Sequence, residues 1–239
     1  MTHMKKLVII PAYNEEKSIL GVVRKLQQDA PDFDYIVIND CSRDNTEQVL
    51  DTNQINHVTL PVNLGIGGAV HTGYIYAMRK GYDCAVQIDG DGQHDTAYLQ
   101  EMAAELEKTG ADMIIGSRFI TYEGFQTSFM RRVGKTYLSG LIRLVTGEKI
   151  SDPTSGYRMV NRQGIRLFAG DYPRDYPEPE SIVTLLRAGG KVKEYPVIMK
   201  KREEGVSSIG PWKAVYYMVK VTLAIIIEKM RPRTVRFEE

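Results

Sequence analysis

The sequence lacks the features that mark several common classes of protein. Its 2 cysteines, Cys41 and Cys84, do not have Cys-x-x-Cys spacing, which argues against a disulfide framework and a structural zinc site. Lysine and arginine number 31, and aspartate and glutamate number 30. The resulting net charge of +1 gives no overall attraction to nucleic acid, so no nucleic-acid partner is expected.

Long hydrophobic runs are also missing. No stretch reaches the roughly 18 to 20 continuous apolar residues that a membrane span requires. The apolar stretch after Met4 is too short for a signal peptide, and there are no internal repeats or low-complexity linkers. We therefore expect a cytoplasmic protein with one domain over residues 1–210 and a C-terminal appendage over residues 211–239.

Short apolar runs alternate with helical patterns along the first 120 residues. This order predicts an α/β fold, a mostly parallel sheet with helices on both faces. Ligands bind beyond the carboxyl ends of strands in such sheets, so the functional loops should follow Ile10, Ile38, Ile88 and Ile115. The predicted strands are Leu7–Ile10, Tyr35–Ile38, His57–Leu60, Cys84–Ile88, Asp112–Ile115 and Lys191–Val197, and the predicted helices cover 15–28, 66–80, 96–108, 134–147 and 178–189.

Residues suited to a nucleoside follow the first two strands. Pro11 and Tyr13 can form a flat wall for a base, and Glu15 can bond a sugar hydroxyl. The alternative is a turn in which Asn14 caps the next helix. Asp40 can accept a hydrogen bond from a base N–H. The glycine-rich segment 63–69 then opens a helix whose N–H groups could face phosphate, although close packing is the alternative.

The sharpest pattern is Asp89-Gly90-Asp91-Gly92-Gln93 after an apolar strand. Two carboxylates and an amide oxygen are hard ligands that suit Mg²⁺ or Mn²⁺, with substrate phosphates and waters completing the shell. Such a metal would act as a Lewis acid on a departing diphosphate. An acidic turn is the alternative. His94 is expected to form a local hydrogen bond rather than to bind metal.

Cations and further carboxylates occupy the second half. Arg118 follows a predicted strand, and with Arg131, Arg132 and Lys135 it could form an anion cradle; a solvated basic loop is the alternative. Asp152 lies in a polar turn and could hold sugar hydroxyls. The segment 201–208 has the composition of a flap in which Arg202 could close over a diphosphate, or of a surface hairpin.

Because of Glu178 and Glu180, the sequence does not decide whether the acceptor is a hydroxyl or a phosphate. A hydroxyl acceptor needs a carboxylate base, which either residue could supply. Alternatively, both residues only charge the start of the following helix. A phosphate acceptor is already an anionic nucleophile, and its transfer would depend mainly on positioning and charge stabilisation.

Taken together, these segments resemble glycosyltransferase family 2, which has the GT-A fold. Within that family the chain is similar to the polyprenol-phosphate sugar synthases, the group of dolichol-phosphate mannose synthase, from about Lys6 to Ser208. Two departures stand out: Ser208 replaces a lysine that the family flap often has, and the hydrophobic tail common in the family is absent.

The resemblance implies inverting, metal-dependent transfer of a hexose from a UDP- or GDP-sugar to undecaprenyl or dolichyl phosphate. It implies Mg²⁺ or Mn²⁺ on Asp89, Asp91 and Gln93, and acceptor phosphate on Arg118 and Arg131. The candidate catalytic set is Asp91, Arg118, Arg131, Glu178 and Glu180, and the candidate donor-binding set is Pro11, Tyr13, Glu15, Asp40, Asp89, Gly90, Asp152, Arg202 and Ser207.

Three alternative functions make different demands on the sequence. Transfer to a saccharide hydroxyl, as in synthesis of a cell-surface polysaccharide, would make Glu178 or Glu180 indispensable. A nucleotidyltransferase would need a glycine-rich, Lys/Arg-bearing loop near the N-terminus, which is missing. A sugar-nucleotide binding module without turnover is disfavoured by the intact set of Asp89, Asp91 and Gln93.

The tail from Pro211 has apolar residues at helical spacing, and aromatic and basic residues that suit a lipid headgroup layer. We expect an interfacial helix that holds the protein at the inner face of the cell membrane, near a lipid acceptor. Packing on its own domain or on another subunit is the alternative. The sequence leaves open whether the chain assembles with copies of itself or with a small membrane protein.

Overall fold

A computed structural model describes residues 4–120, 129–199 and 211–231. Its centre is a seven-stranded sheet with the order β3-β2-β1-β4-β6-β5-β7. All neighbouring strands are parallel except β6, which runs antiparallel to β4 and β5. The strands are β1 Lys6–Ala12, β2 Phe33–Asn39, β3 His57–Thr59, β4 Cys84–Gln87, β5 Met113–Ser117, β6 Arg158–Asn161 and β7 Val192–Pro196. The predicted mostly parallel sheet is confirmed.

Helices cover both faces of this sheet, as predicted. Alternate residues of β1 enter different cores: Leu7 and Ile9 pack on one side, and Val8 and Ile10 on the other. All four are fully buried, which explains why the strand is continuously apolar. The helices are α1 Ile19–Asp29, α2 Thr46–Thr52, α3 Gly65–Arg79, α4 Leu99–Thr109 after a 3₁₀ turn at Thr96–Tyr98, α5 Phe129–Thr146, α6 Arg162–Gly170, α7 Pro177–Arg187 and α8 Pro211–Met230.

Some predicted boundaries were wrong. The first helix begins at Ile19 rather than near residue 15, because Asn14 has a φ of 58° and Glu15 and Ser18 form a turn. The helix predicted over 134–147 begins at Phe129. β6 and α6 were not predicted; four residues that include an arginine and an asparagine do not have the pattern of a buried strand.

The glycine-rich start of α3 serves close packing. A Cβ added to Gly67 would lie 2.2 Å from the backbone oxygen of Arg174, and one added to Gly73 would lie 2.3 Å from Cγ2 of Ile9. Only glycine allows the helix to approach this closely. The packing alternative therefore accounts for Gly67, and Gly73 further along α3 packs closely for the same reason.

The C-terminal helix α8 packs on the same domain. Val221 and Ile225 are fully buried in the core that also contains residues of α5 and α7. Tyr137 on α5 and Thr222 on α8 are joined by a hydrogen bond of 3.0 Å. Within the described residues, no helix is both long and apolar enough to cross a bilayer. The outer side of α8 exposes Tyr216, Val219, Leu223, Ile226, Ile227 and Met230.

Candidate active site

The carboxyl ends of β1, β2 and β4 open into a cavity of about 580 Å³. Three of the four loops predicted to carry function, those after Ile10, Ile38 and Ile88, meet there. Of the residues that the structure describes, none after Ile115 in the fourth loop lines the cavity. The lining residues are Pro11, Ala12, Tyr13, Glu15, Asp40, Asn63, Gly65, Ile66, Ala69, Asp89, Gly90, Asp91 and Glu178.

Hydrogen bonds join the loops after β1 and β2 into one rim. The backbone N–H of Asn14 donates to Ser42 Oγ at 3.0 Å, and the N–H of Arg43 donates to Asn14 Oδ1 at 2.8 Å. The N–H of Glu15 donates to Thr46 Oγ1 at 2.9 Å. Asn14 therefore bonds across to the second loop and does not cap α1, which corrects the capping alternative. These bonds fix the backbone that presents Tyr13 and Glu15 to the cavity.

Asp40 joins the second loop to the start of α3. Its Oδ1 accepts from the N–H of Leu64 at 2.7 Å, and its Oδ2 accepts from the N–H of Gly65 at 2.8 Å. Burial raises the pKa of this carboxyl, and the two N–H donors partly oppose the rise. Because a carboxylate oxygen has two lone pairs, either oxygen can still accept a second hydrogen bond from a ligand. Contact with a base remains a prediction.

His94 fixes the acidic loop after β4. The N–H of Asp89 donates to His94 Nδ1 at 3.0 Å, so Nδ1 is an acceptor and the neutral ring carries its proton on Nε2. The imidazole also stacks on Tyr157, with ring centroids 4.9 Å apart. The local hydrogen bond predicted for His94 is confirmed. Asp91 Oδ1 accepts from the N–H of Gln93 at 3.0 Å, which tightens the same turn.

The acidic loop provides oxygen ligands that fit a divalent cation. Asp89 and Asp91 both line the cavity, and the Asp89 side chain is 33% exposed. A Cβ on Gly90 would lie 3.1 Å from the Pro11 oxygen, so this position favours glycine between the two carboxylates. Across the described ranges, no group of three or more His, Cys, Asp or Glu side chains is arranged to hold a metal. Two carboxylates fit Mg²⁺ or Mn²⁺ that shares its shell with substrate oxygens.

Arg118 forms a bidentate ion pair with Asp152. Its Nε and Nη2 donate to the two carboxylate oxygens, each at 2.7 Å. Asp152 is fully buried, so it faces the guanidinium and not the cavity, where sugar hydroxyls were predicted to bind. The ring of Phe119 lies beside both Arg118 and Lys135, whose Nζ is 4.1 Å from the ring centroid. The side chain of Arg131, and all of Arg202 and Ser207, lie outside the described residues.

Arg158 is a buried residue that the sequence patterns did not single out. It donates to the oxygens of Ser155 at 2.7 Å and Pro153 at 3.0 Å, to Ser181 Oγ at 2.6 Å, and to the backbone oxygen of Glu178. It thereby ties the turn containing Asp152 to the first turn of α7. Among the described residues, the hydrogen-bond partners of this guanidinium are backbone oxygens and a hydroxyl. Such a buried charge can be recognised from tertiary structure alone, because arginine is normally exposed.

The two candidate bases have different surroundings. Glu178 lines the cavity, and burial raises the pKa of its carboxyl although Arg158 opposes the rise. Glu180 is not a lining residue; burial, Asp175 and Glu228 raise its pKa to about 7, against Lys220 and Arg231. Of the two, only Glu178 is placed to meet a ligand in the cavity.

Comparison with known protein families shows where the chain belongs. The family model described as Glycosyl transferase family 2 matches residues 7–168. The chain belongs to glycosyltransferase family 2. It is a glycosyltransferase with the GT-A fold.

Its relatives include several that act on lipid phosphates. The chain is 29% identical over 215 residues to an undecaprenyl-phosphate mannosyltransferase of Micrococcus luteus, covering 86% of this chain and 88% of the relative. It is 30% identical over 180 residues to a UDP-N-acetylglucosamine–dolichyl-phosphate N-acetylglucosaminyltransferase of Methanococcus voltae, covering 68% and 71%.

A solved structure supports the fold. The glucosyl-3-phosphoglycerate synthase of Mycobacterium tuberculosis, in complex with Mn²⁺, UDP and glucosyl-3-phosphoglycerate, superposes with a TM-score of 0.71. The match has 18% sequence identity and covers 97% of this chain and 82% of that chain. At this identity the likeness concerns the fold alone.

Proposed function

We propose that this glycosyltransferase moves a hexose from a nucleoside diphosphate sugar to a polyprenyl phosphate, with inversion at the anomeric carbon. The observation that carries the proposal is the cavity. It brings together the loops after β1 and β2, which are predicted to bind the nucleoside, the Asp89–Asp91 pair and Glu178. The named activities of the two relatives, which use undecaprenyl and dolichyl phosphate, support the choice of acceptor.

The donor would lie along the rim of this cavity. Pro11 and Tyr13 would flank the base, Asp40 would accept from a base N–H, and Glu15 would bond the ribose. Asp89 and Asp91, with Gln93, would hold Mg²⁺ or Mn²⁺ at the diphosphate, and Gly90 would let the backbone approach it. The metal, when bound, supplies Lewis-acid stabilisation to the departing diphosphate. Arg202 and Ser207 are proposed to complete the donor site.

The acceptor phosphate needs no general base, since it is already an anionic nucleophile near neutral pH. The work of the protein would then be alignment and charge stabilisation. Arg118 and Arg131 are proposed to hold the phosphate. The turn that contains Asp152 reaches the acidic pair, because a Cβ on Gly156 would lie 3.6 Å from Asp89 Oδ1.

A saccharide hydroxyl acceptor is the second candidate, and the position of Glu178 favours it. This carboxyl lines the cavity, and its raised pKa is the property expected of a general base. Under that hypothesis, Glu178→Gln would abolish transfer. Under the lipid-phosphate hypothesis, the same variant would retain most of its turnover.

We also propose that the protein works at the inner face of the cell membrane. Exposed apolar residues on α8 are continued by Val133, Tyr137 and Leu144 on α5, and Arg143 and Lys229 are exposed on the same two helices. Such a face suits the interface of an anionic bilayer.

Sedimentation with phosphatidylglycerol vesicles tests this membrane contact. The wild-type chain should sediment with the vesicles, and Leu223→Glu combined with Ile227→Glu should remain in the supernatant. Met78→Glu, which changes an exposed apolar residue on α3, is the matched control and should behave as wild type. Equal sedimentation of all three proteins would contradict the proposed face.

The test of the reaction is release of nucleoside diphosphate from a panel of UDP- and GDP-sugars, with Mg²⁺ or Mn²⁺, with and without undecaprenyl phosphate in detergent. Release should require both lipid and metal. Asp91→Ala should lower the rate by at least about a hundredfold, by analogy with the loss of one preorganised charge-stabilising group. Release that ignores the lipid would contradict the proposed acceptor.

A further inference from the structure

The guanidinium of Arg118 is fixed along one edge. Nε donates to Asp152 Oδ2 at 2.7 Å, and Nη2 donates to Asp152 Oδ1 at 2.7 Å and to Thr154 Oγ1 at 3.1 Å. A guanidinium has five N–H groups in a rigid fork. Three are used here, and the two on Nη1 have no hydrogen-bond partner within the described part of the chain. The free edge therefore has a defined direction.

Asp152 is held in turn by Glu194 on β7. The carboxylate of Glu194 accepts the N–H of Ser151 at 2.7 Å and the N–H of Asp152 at 2.8 Å, one on each oxygen. Glu194 pairs with Ile115 in the β5–β7 register, and Arg118 follows the end of β5. One chain of contacts therefore begins at Glu194 on β7 and ends at Arg118 after the adjacent strand β5. It passes through the backbone of residues 151–152 and the side chain of Asp152.

Because Arg118 is paired with Asp152, it can orient a bound anion but adds little net charge to attract one. Asp152 is fully buried and compensates the charge of Arg118. An arginine paired in this way adds little net attraction for an anion, but it presents directed N–H donors whose rotamer entropy has already been lost. Preorganised donors at a phosphate stabilise the aligned complex more than mobile ones do.

We propose that Glu194 and Asp152 are positioning residues that aim the Nη1 edge of Arg118 at the acceptor phosphate. This inference rests on the proposed function, since it takes the acceptor to be a phosphate bound by Arg118. Glu194 would act without touching any substrate, and Asp152 would serve Arg118 rather than a sugar hydroxyl.

A double-mutant cycle on KM for undecaprenyl phosphate tests the proposal. Arg118→Ala and Glu194→Gln should each raise the acceptor KM by about tenfold, because a misplaced donor loses alignment. KM for the sugar donor should change by less than about twofold. The double variant should resemble Arg118→Ala alone, since Glu194 acts through Arg118. Glu148→Gln, an exposed carboxylate near the same turn, is the control and should leave both KM values unchanged.

A second readout does not depend on turnover. The Arg118 Nε–H resonance in a nitrogen-15 spectrum should be sharp in the wild type and shifted or broadened in Glu194→Gln, with Asp152→Asn giving the same change. An unaltered resonance in Glu194→Gln would overturn the positioning role.

The kinetic outcomes separate the two levels of the hypothesis. If Arg118→Ala leaves the acceptor KM unchanged, the proposed phosphate contact is wrong. A second outcome is that Arg118→Ala raises the acceptor KM while Glu194→Gln raises it by the same further factor in the double variant as in the wild type. That result would keep the phosphate contact of Arg118 and overturn the positioning role of Glu194. A rise of both the donor KM and the acceptor KM in Glu194→Gln would show that Glu194 supports the structure generally, and it would also overturn the positioning role.

Discussion

Glu178 and Glu180 are two residues apart in the first turn of α7, yet their side chains have different surroundings. Glu178 lines the cavity, whereas the charges that act on Glu180 belong to α8, to Arg231 directly after it, and to the segment before α7. A residue two positions along a helix is rotated by about 200°, which explains the separation. At the residue scale, position on the helix surface decides which carboxyl can meet a substrate.

The raised pKa of Glu180 predicts a pH-dependent stability. Its pKa in the folded chain is about 7, above the ordinary value of 4.5. Below pH 4.5 the carboxyl is protonated in both the folded and the unfolded chain. Between pH 4.5 and 7 it is ionised mainly in the unfolded chain, so a rising pH lowers the stability of the wild type. Above pH 7 it is ionised in both, and the loss is complete. The free energy of unfolding of Glu180→Gln, relative to wild type, should therefore increase between pH 4.5 and 7.

Urea titrations at a series of pH values measure this difference. Glu107→Gln, which removes an exposed carboxyl on α4, is the control for the general effect of losing one acidic side chain. A difference for Glu180→Gln that stays flat between pH 4.5 and 7 would mean that the surroundings of α7 and α8 do not raise the pKa of Glu180.

At the scale of elements, close approach of α3 to its neighbours depends on glycine. Gly67→Ala would place a Cβ within 2.2 Å of a backbone oxygen that cannot rotate away. We expect it to lower the free energy of unfolding by about 1 to 3 kcal/mol, the usual cost of overpacking. Chemical denaturation measures the effect.

Gly21→Ala is the matched control. Gly21 lies in α1, and a Cβ there would have no neighbour within 4 Å. This variant should raise the free energy of unfolding by about 0.5 to 1 kcal/mol, since alanine is the better helix former. Equal effects of the two substitutions would show that packing at α3 is looser than the structure indicates.

Much of this element pattern could be predicted from the sequence, because β1, β2 and β4 are continuous apolar runs that end at polar loops. β6 could not, since the burial of Arg158 in this strand depends on Ser181 of α7, 23 residues further along the chain, as well as on the nearby backbone oxygen of Ser155. Asp152 was predicted to hold sugar hydroxyls, and its fully buried pairing with Arg118 is visible only in the tertiary structure. Asp89 and Asp91 line the cavity because a buried strand leads directly into them, and that pattern is visible in the sequence.

At the scale of the whole molecule, the cavity lies at the carboxyl ends of β1, β2 and β4, and the exposed apolar face lies on the helices α5 and α8. α8 was predicted as an appendage, with packing on its own domain as the alternative, and Val221 and Ile225 now place it in the main core. Its outer face stays exposed, so packing on the domain and contact with a membrane are compatible.

The most direct measurement is mass spectrometry of the organic extract after incubation with an active nucleotide sugar, a divalent metal and undecaprenyl phosphate. We predict one product, a hexosyl phosphoryl polyprenol, which is absent when metal is chelated or when Asp91→Ala replaces the wild type. Recovery of the hexose only as free sugar, or on an added saccharide with loss of transfer in Glu178→Gln, would contradict the account.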